Sequence, residues 1–277
     1  MRSFESARSF QVLLATFALT LLAVAPAAAQ SPDNPVCDSD APNLWKRDTQ
    51  FLEVWWNDAR PVHIAECLEA GADPEADGIL RHAAEWSRFP AVVQMLLEAG
   101  ANPNPIGGVE SPLYWAVQRT DNVTVVRGVV AALLYADADL GPDRFGYTPL
   151  YHVLGNQPNS VALVELLLEG GADPNGSWGP VTPLHHAAQN TTNPRVLEAL
   201  LAVGADPNAK TTLGTPLHIA IDRCRQLLVR ALLEYGADPN ARRGLDQTPL
   251  EVAESCSNAS ERDNIVRMLR EAGATSP

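Results

Sequence analysis

Thr182-Pro-Leu-His-His-Ala-Ala-Gln189, followed by Val196-Leu-Glu-Ala-Leu-Leu-Ala-Val-Gly-Ala-Asp-Pro-Asn208, decides the architecture. Thr182 can cap a helix start, and Pro183 falls in the first turn, where its missing N–H costs nothing. Leu184, Ala187 and Ala188 then recur at helical spacing, and the alanines let a neighbouring helix come close. Val196, Leu197, Leu200 and Leu201 make the apolar stripe of a second helix. Gly204 ends it, since a residue in the left-handed conformation closes a helix without strain only when it lacks a Cβ. Asp-Pro-Asn makes the turn that starts the next unit.

The same words recur outward in both directions. Ser111-Pro-Leu, Thr148-Pro-Leu, Thr215-Pro-Leu-His and Thr248-Pro-Leu open further units, and Gly78-Ile-Leu is a degraded opening. Val92, Val93, Leu96 and Leu97 repeat the second stripe, as do Leu227, Leu228, Leu232 and Leu233. Closing phrases begin at Gly71, Gly100, Gly171, Gly204, Gly236 and Gly273, with Ala136-Asp-Ala-Asp in the missing place, at spacings of 29, 36, 35, 33, 32 and 37 residues. A period of this size marks a solenoid, in which no unit buries its apolar face alone and each lies against its neighbours.

Thr-Pro-Leu-His-x-Ala at Thr182 and Thr215, and Leu-Leu-x-x-Gly-Ala-Asp-x-Asn at Leu200, are signature phrases of the ankyrin-repeat family. The chain resembles that family over residues 46–274. The resemblance implies an all-α solenoid of about seven helix–turn–helix units with turn fingers, the first and last acting as caps. Ala136 in place of a glycine predicts a less clean end to the third unit. The family's histidine position holds Arg81, Tyr114, Tyr151 and Glu251, and only His185 and His218 conform; there the resemblance implies a structural hydrogen bond. The first unit lacks the opening phrase, and Trp45, Trp55 and Trp56 are expected to cover the end of the core.

Residues 1–29 read as a signal peptide: Arg2 and Arg8, an apolar run from Val12 to Ala25, and Ala27-Ala-Ala29 before the cleavage point. Residues 30–45 form an N-terminal arm and 275–277 a tail. The run is short of the roughly 20 residues that span a bilayer, so no membrane association is expected after cleavage. The alanine-rich leader and the many Pro and Ala residues suggest a bacterial periplasm or secretion. Asn122-Val-Thr, Asn175-Gly-Ser, Asn190-Thr-Thr and Asn258-Ala-Ser then read as chance sequons.

The formal charge of the whole chain is −13. Loss of Arg2, Arg8 and Glu5 with the leader moves it to −14. So acidic a chain repels phosphate backbones, which excludes nucleic acid as an expected partner. An even set of four cysteines in an exported chain permits two disulfides. In the repeat register Cys224 and Cys256 fall at near-equivalent places in adjacent units, which predicts pairs Cys37–Cys67 and Cys224–Cys256, one at each end.

No nucleophile elbow, zinc-protease, phosphate-loop or Cys-x-x-Cys motif is present, and no cofactor is expected. His82, His152 and His186 fall one residue after the family's histidine place. Helices 8–10 Å apart hold such rings too far apart to share a zinc ion at about 2 Å, so packing is the expected role. The resemblance implies protein binding through the turn tips and the concave face. The tips carry Arg144, Phe145, Trp178, Leu213, Arg242, Arg243 and Leu245, of residue types enriched at hot spots or costly to expose. Phe145 and Leu213 either bind or tuck between neighbouring turns. The expected function is a non-enzymatic interaction module for a protein partner, chaperone-like or partner-protecting. The alternatives are an inhibitor or immunity-type protein for one enzyme, and metal or catalytic chemistry at the histidines.

Overall fold

The computed structural model describes residues 59–105, 111–176, 181–244 and 247–275, with the backbone of 37–38 and 41–45. Trp45, Trp55, Trp56, Trp178 and Leu245 have side chains outside the described residues, as does Cys37. The backbone of Cys37–Asp38 pairs antiparallel with that of Ala41–Trp45. The rest is helical and two layers thick. One row consists of α2 (Ile79–Trp86), α4 (Pro112–Gln118), α6 (Pro149–Asn156), α8 (Pro183–Asn190), α10 (Pro216–Asp222) and α12 (Pro249–Ala253). The second row is α1 (Pro61–Glu69), α3 (Pro90–Glu98), α5 (Val123–Tyr135), α7 (Val161–Glu169), α9 (Pro194–Ala202), α11 (Gln226–Glu234) and α13 (Ala259–Glu271). From α2 onward each helix packs on its partner in the same unit, and along each row on the corresponding helix of the next. Leu113, Leu133, Leu150, Leu167, Leu184, Leu200, Leu217 and Leu232 run between the rows as one continuous core.

The helix starts follow from their caps. Ser111 Oγ accepts from the Tyr114 N–H at 3.2 Å, and Thr148 Oγ1 from the Tyr151 N–H at 3.2 Å. Two sequon asparagines are caps as well: Asn122 on the Thr124 N–H at 2.9 Å and Asn258 on the Ser260 N–H at 3.0 Å. At the other end the Gly171 N–H donates to Leu168 and the Ala172 N–H to Leu167, with Gly171 at φ 99°. The third unit closes the same way, which corrects the expectation at Ala136. Asp137 takes the left-handed place at φ 58°, the Ala138 N–H donates to Leu133, and Ala138 is buried like Ala101 and Ala172. A short polar side chain can adopt that conformation at modest cost.

Asparagines clasp successive closing turns together. Asn175 Nδ2 donates to the Gly204 carbonyl at 2.9 Å while its Oδ1 accepts from the Asp206 N–H at 2.9 Å. Asn208 does the same to Gly236 and Asp238, and Asn104 to Asp137 and Asp139. Asn240 reaches Gly273 and Thr275, so Thr275 closes the last clasp although the sequence places it in the tail. Gly141 stands where the asparagine of its unit would be, and α5 and α7 make the sparsest contact in their row. Gly141 does not have a positive φ, and its N–H already bonds Asp139 as the clasp asparagines bond the residue two before them. Gly141→Asn is therefore expected to add a clasp to Gly171 and Asp173 and to stabilise the fold by about 1 kcal/mol, read from urea denaturation midpoints.

A second set of ties runs through the loops between paired helices. Buried Arg119 donates to the carbonyls of Ala84 and Ser87 at 3.1 and 2.8 Å and pairs with Asp121, holding that carboxyl below its usual range. Gln157 donates to the Arg119 carbonyl and Arg225 to that of Thr191. Asn159 Oδ1 accepts from Thr191, Thr192 and Asn193. The Cys224–Cys256 disulfide, with Cα atoms 5.7 Å apart, ends this line. Cys67 is disulfide-bonded too.

Candidate functional site

The finger tips and the first-row helices form one surface, because side chains on those helices hold the fingers. In the finger from Asp143 to Tyr147, the Asp143 carboxylate accepts from the N–H groups of Phe145 and Tyr147 at 2.7 and 3.0 Å. His152 on α6 donates to the same carboxylate from Nε2 at 3.1 Å. These bonds push the Asp143 pKa below the usual carboxylate value despite its burial. The finger so fixed holds Phe145 in water at 55% exposure, with the exposed Arg144 guanidinium 4.8 Å over its ring.

The finger of Thr211–Gly214 closes with reciprocal backbone bonds and leaves Leu213 57% exposed. Neither Phe145 nor Leu213 tucks between turns. Gly214 has φ 101°, and a Cβ there would lie 2.9 Å from Arg243 Cβ and from His218 Cγ, so the position admits only glycine. Arg243, read from sequence as a contact residue, is half-buried and ion-paired with Asp222, and donates to the Leu213 carbonyl at 3.4 Å. Its geometry joins two fingers. Arg242 beside it is exposed.

His185 and His218 also hold fingers. His185 Nδ1 lies 2.8 Å from Thr182 Oγ1, and its Nε2 lies 3.2 Å from the Gly214 carbonyl of the next unit. His218 repeats this with Thr215 at 2.9 Å and the Gln247 carbonyl at 3.3 Å. A carbonyl only accepts, so Nε2 carries the proton and Nδ1 receives a bond, which requires the neutral ring. Burial lowers the pKa of both.

Between the fingers and the core runs a half-buried band of rings that the sequence reading treats only as packing. His82 stacks on Trp86 at 5.2 Å, and the Arg81 guanidinium lies 5.0 Å over Trp115. Tyr114 meets His152 edge-on at 4.8 Å, and Tyr151 stacks on His186 at 4.1 Å and 8°. The signal for this band is that tyrosine replaces the family's histidine at 114 and 151, with a large ring at the following position each time. His82 and His186 are pushed down to about 4, by burial first and then by Arg81 and His152 respectively.

All four shifted histidines are neutral in the fold, whereas the unfolded chain takes up protons near pH 6.5. Below that pH the unfolded state binds more protons, so stability falls with pH and the loss levels off near pH 4. Asp121, by its bond to Arg119, and Asp143, despite its burial and by its bonds to Tyr147, His152 and Phe145, are held below the usual carboxylate range, so the stability they contribute is lost only at still lower pH. A urea midpoint clearly lower at pH 4.5 than at pH 7.5, with the drop reduced in His186→Gln, is the expected result.

Among the described residues no group of three His, Cys, Asp or Glu side chains is placed to hold a metal ion, and no helix is long and apolar enough to cross a membrane. Comparison with known families finds a match to ankyrin repeats (3 copies) in three overlapping placements, residues 113–211, 156–243 and 184–276. No curated protein matches the chain.

Proposed function

The chain belongs to the ankyrin-repeat family, and from that premise we propose that this protein–protein interaction module binds its partner through the finger tips and the first-row helices, without chemistry of its own. The observation that carries the reading is the pair of apolar side chains, Phe145 and Leu213, each more than half exposed on a finger whose backbone is pinned by hydrogen bonds. Exposing a large apolar group on a rigid support lowers the ordering cost of association. The Tyr114–His152 and Tyr151–His186 rings lie beside those fingers and offer a polar-tipped floor.

Export to an oxidising compartment fits the same reading. A disulfide such as Cys224–Cys256 persists outside the reducing cytosol. A partner-protecting or chaperone-like role suits a surface made of several separate fingers. An inhibitor or immunity-type role would instead give one tight complex of fixed one-to-one stoichiometry.

A photo-crosslinking amino acid placed at Phe145 or Leu213, and separately at the exposed second-row positions Val123 and Val203, tests the surface in cells. The two finger positions are expected to capture one shared partner that the second-row positions miss. Capture of that partner equally well from Val123 and Val203 would refute the assignment.

A further inference from the structure

The two halves of the Cys224–Cys256 bridge are unequally sheltered. An open cleft of about 280 Å³ lies beside the loop between α10 and α11, and its lining includes Thr192, Arg223, Cys224, Arg225, Leu227 and Glu261. Cys224 is half-buried and forms part of that lining, whereas Cys256 is 2% exposed and does not.

Two guanidinium groups flank the accessible half. Arg225 donates one N–H to the Thr191 carbonyl, which fixes it in the wall of the cleft, and a guanidinium carries five such donors. Arg223 is exposed beside it. The two crowd each other: burial first, and then the Arg223 charge, push the Arg225 pKa below its ordinary value. Among the described residues Glu261 is the acid in that lining, so the cleft keeps a positive balance.

Thiol–disulfide exchange requires a thiolate to reach one sulfur while the other departs. Cys224 is the half within reach. Cys256 Sγ, the departing half, lies 3.3 Å from the Ile221 carbonyl, so the freed thiol finds a hydrogen-bond acceptor in its buried place. A thiol in apolar surroundings ionises weakly and is a poor nucleophile, which slows closure of the bridge again.

We propose that Cys224 is a site of reversible mixed-disulfide formation with a small thiol that carries carboxylates, such as a short peptide holding one cysteine. The thiolate attacks Cys224 Sγ and a new sulfur–sulfur bond forms. The bond to Cys256 breaks, and Cys256 leaves as a thiolate that takes up the proton lost by the attacking thiol. One disulfide is exchanged for another, so no oxidant or reductant is consumed. The carboxylates of the thiol rest against Arg223 and Arg225. In the adduct the last unit is no longer cross-linked to the one before it. The site stands apart from the finger surface and does not depend on it.

The test treats the native chain with glutathione or with glutathione diethyl ester, which keeps the skeleton and the thiol but lacks the carboxylate charges. Alkylation stops the reaction, and mass spectrometry of the digested chain locates the adduct. Each rate is divided by that of the same thiol on the urea-unfolded chain, which removes differences in thiol reactivity. Glutathione is then expected to be favoured about tenfold, with the advantage shrinking as salt rises. The adduct is expected on Cys224, with Cys256 alkylated. Arg223→Gln is expected to lower the preference and Arg223→Gln/Arg225→Gln to erase it, while Arg230→Gln, at an exposed site on α11, leaves it intact. A corrected ratio near one, an adduct equally on Cys256, or a preference untouched by Arg223→Gln overturns the proposal. So does a bridge that stays intact, or one that is reduced without an adduct appearing. Circular dichroism of each variant confirms folding. If the double variant unfolds, the exposed Arg223→Gln alone decides.

Discussion

Reduction of the Cys224–Cys256 bridge is expected to remove about 3–4 kcal/mol of stability. The bridge closes a loop of sequence separation 32 and joins the loop after α10 to the loop after α12. In the chain-entropy model a closed loop of this length restricts the unfolded ensemble by about that amount. The effect should be local. The terminal unit of α12 and α13 has a neighbour on one side only, and unit stabilities in a solenoid add through nearest neighbours. The Asn240 clasp to Gly273 and Thr275 remains after reduction, as does the Asn264–Gln226 bond between α13 and α11. The last unit is then expected to open before the rest. Hydrogen exchange of the native chain against Cys224→Ser/Cys256→Ser, which leaves the Cys67 bridge in place, checks this: protection should fall first in Val266 and Leu269 of α13, and hardly change in α6 and α7. Uniform loss of protection along the chain would contradict the local picture.

Leu167→Ala is the second large effect, expected at about 3 kcal/mol from the cost of a buried cavity. Leu167 is fully buried in α7, and its carbonyl receives the Ala172 N–H that closes the unit. Its position in the array adds a consequence beyond stability. Weakening a central unit uncouples the blocks on either side, so unfolding is expected to separate into two steps instead of one. Val203→Ala, at a site 52% exposed, serves as control and should shift the midpoint by less than about 0.5 kcal/mol. Two-probe urea denaturation, with Trp fluorescence and circular dichroism, distinguishes one transition from two.

Much of the fold was legible because each unit repeats its own punctuation. Thr182 and Pro183 mark a helix start, Gly204 marks an end, and the apolar stripes between them need no distant information. The register even brought Cys224 and Cys256 together, since the same place in adjacent units is adjacent in space. Ala136 invites misreading because Ala136-Asp-Ala-Asp139 holds two successive Ala-Asp pairs, either of which fits the closing phrase. What fixes the register is the buried alanine after the left-handed residue, Ala138, which makes Asp137 the counterpart of glycine. The loop ties were not legible, because Arg119, Gln157 and Arg225 reach carbonyls more than thirty residues away and no local pattern announces a long side chain's destination. Arg243 shows the same limit at the surface. Its charge suggested contact with a partner, while its guanidinium is committed to Asp222. Tyr151 and His186 illustrate it for the ring band, since their stacking depends on lateral alignment of two helices.

The missing asparagine at position 141 has a mechanical consequence. Every other described closing turn from Asn104 onward is clasped to the next, so the array divides there into two stiff arms joined by helix packing and the Gln157–Arg119 bond. Phe145, held to α6 through Asp143 and His152, and Leu213 both ride on the C-terminal side of that gap. The span between the two is therefore set by unbroken clasps, and any slack in the array falls ahead of both, so they present one fixed gauge to whatever seats there.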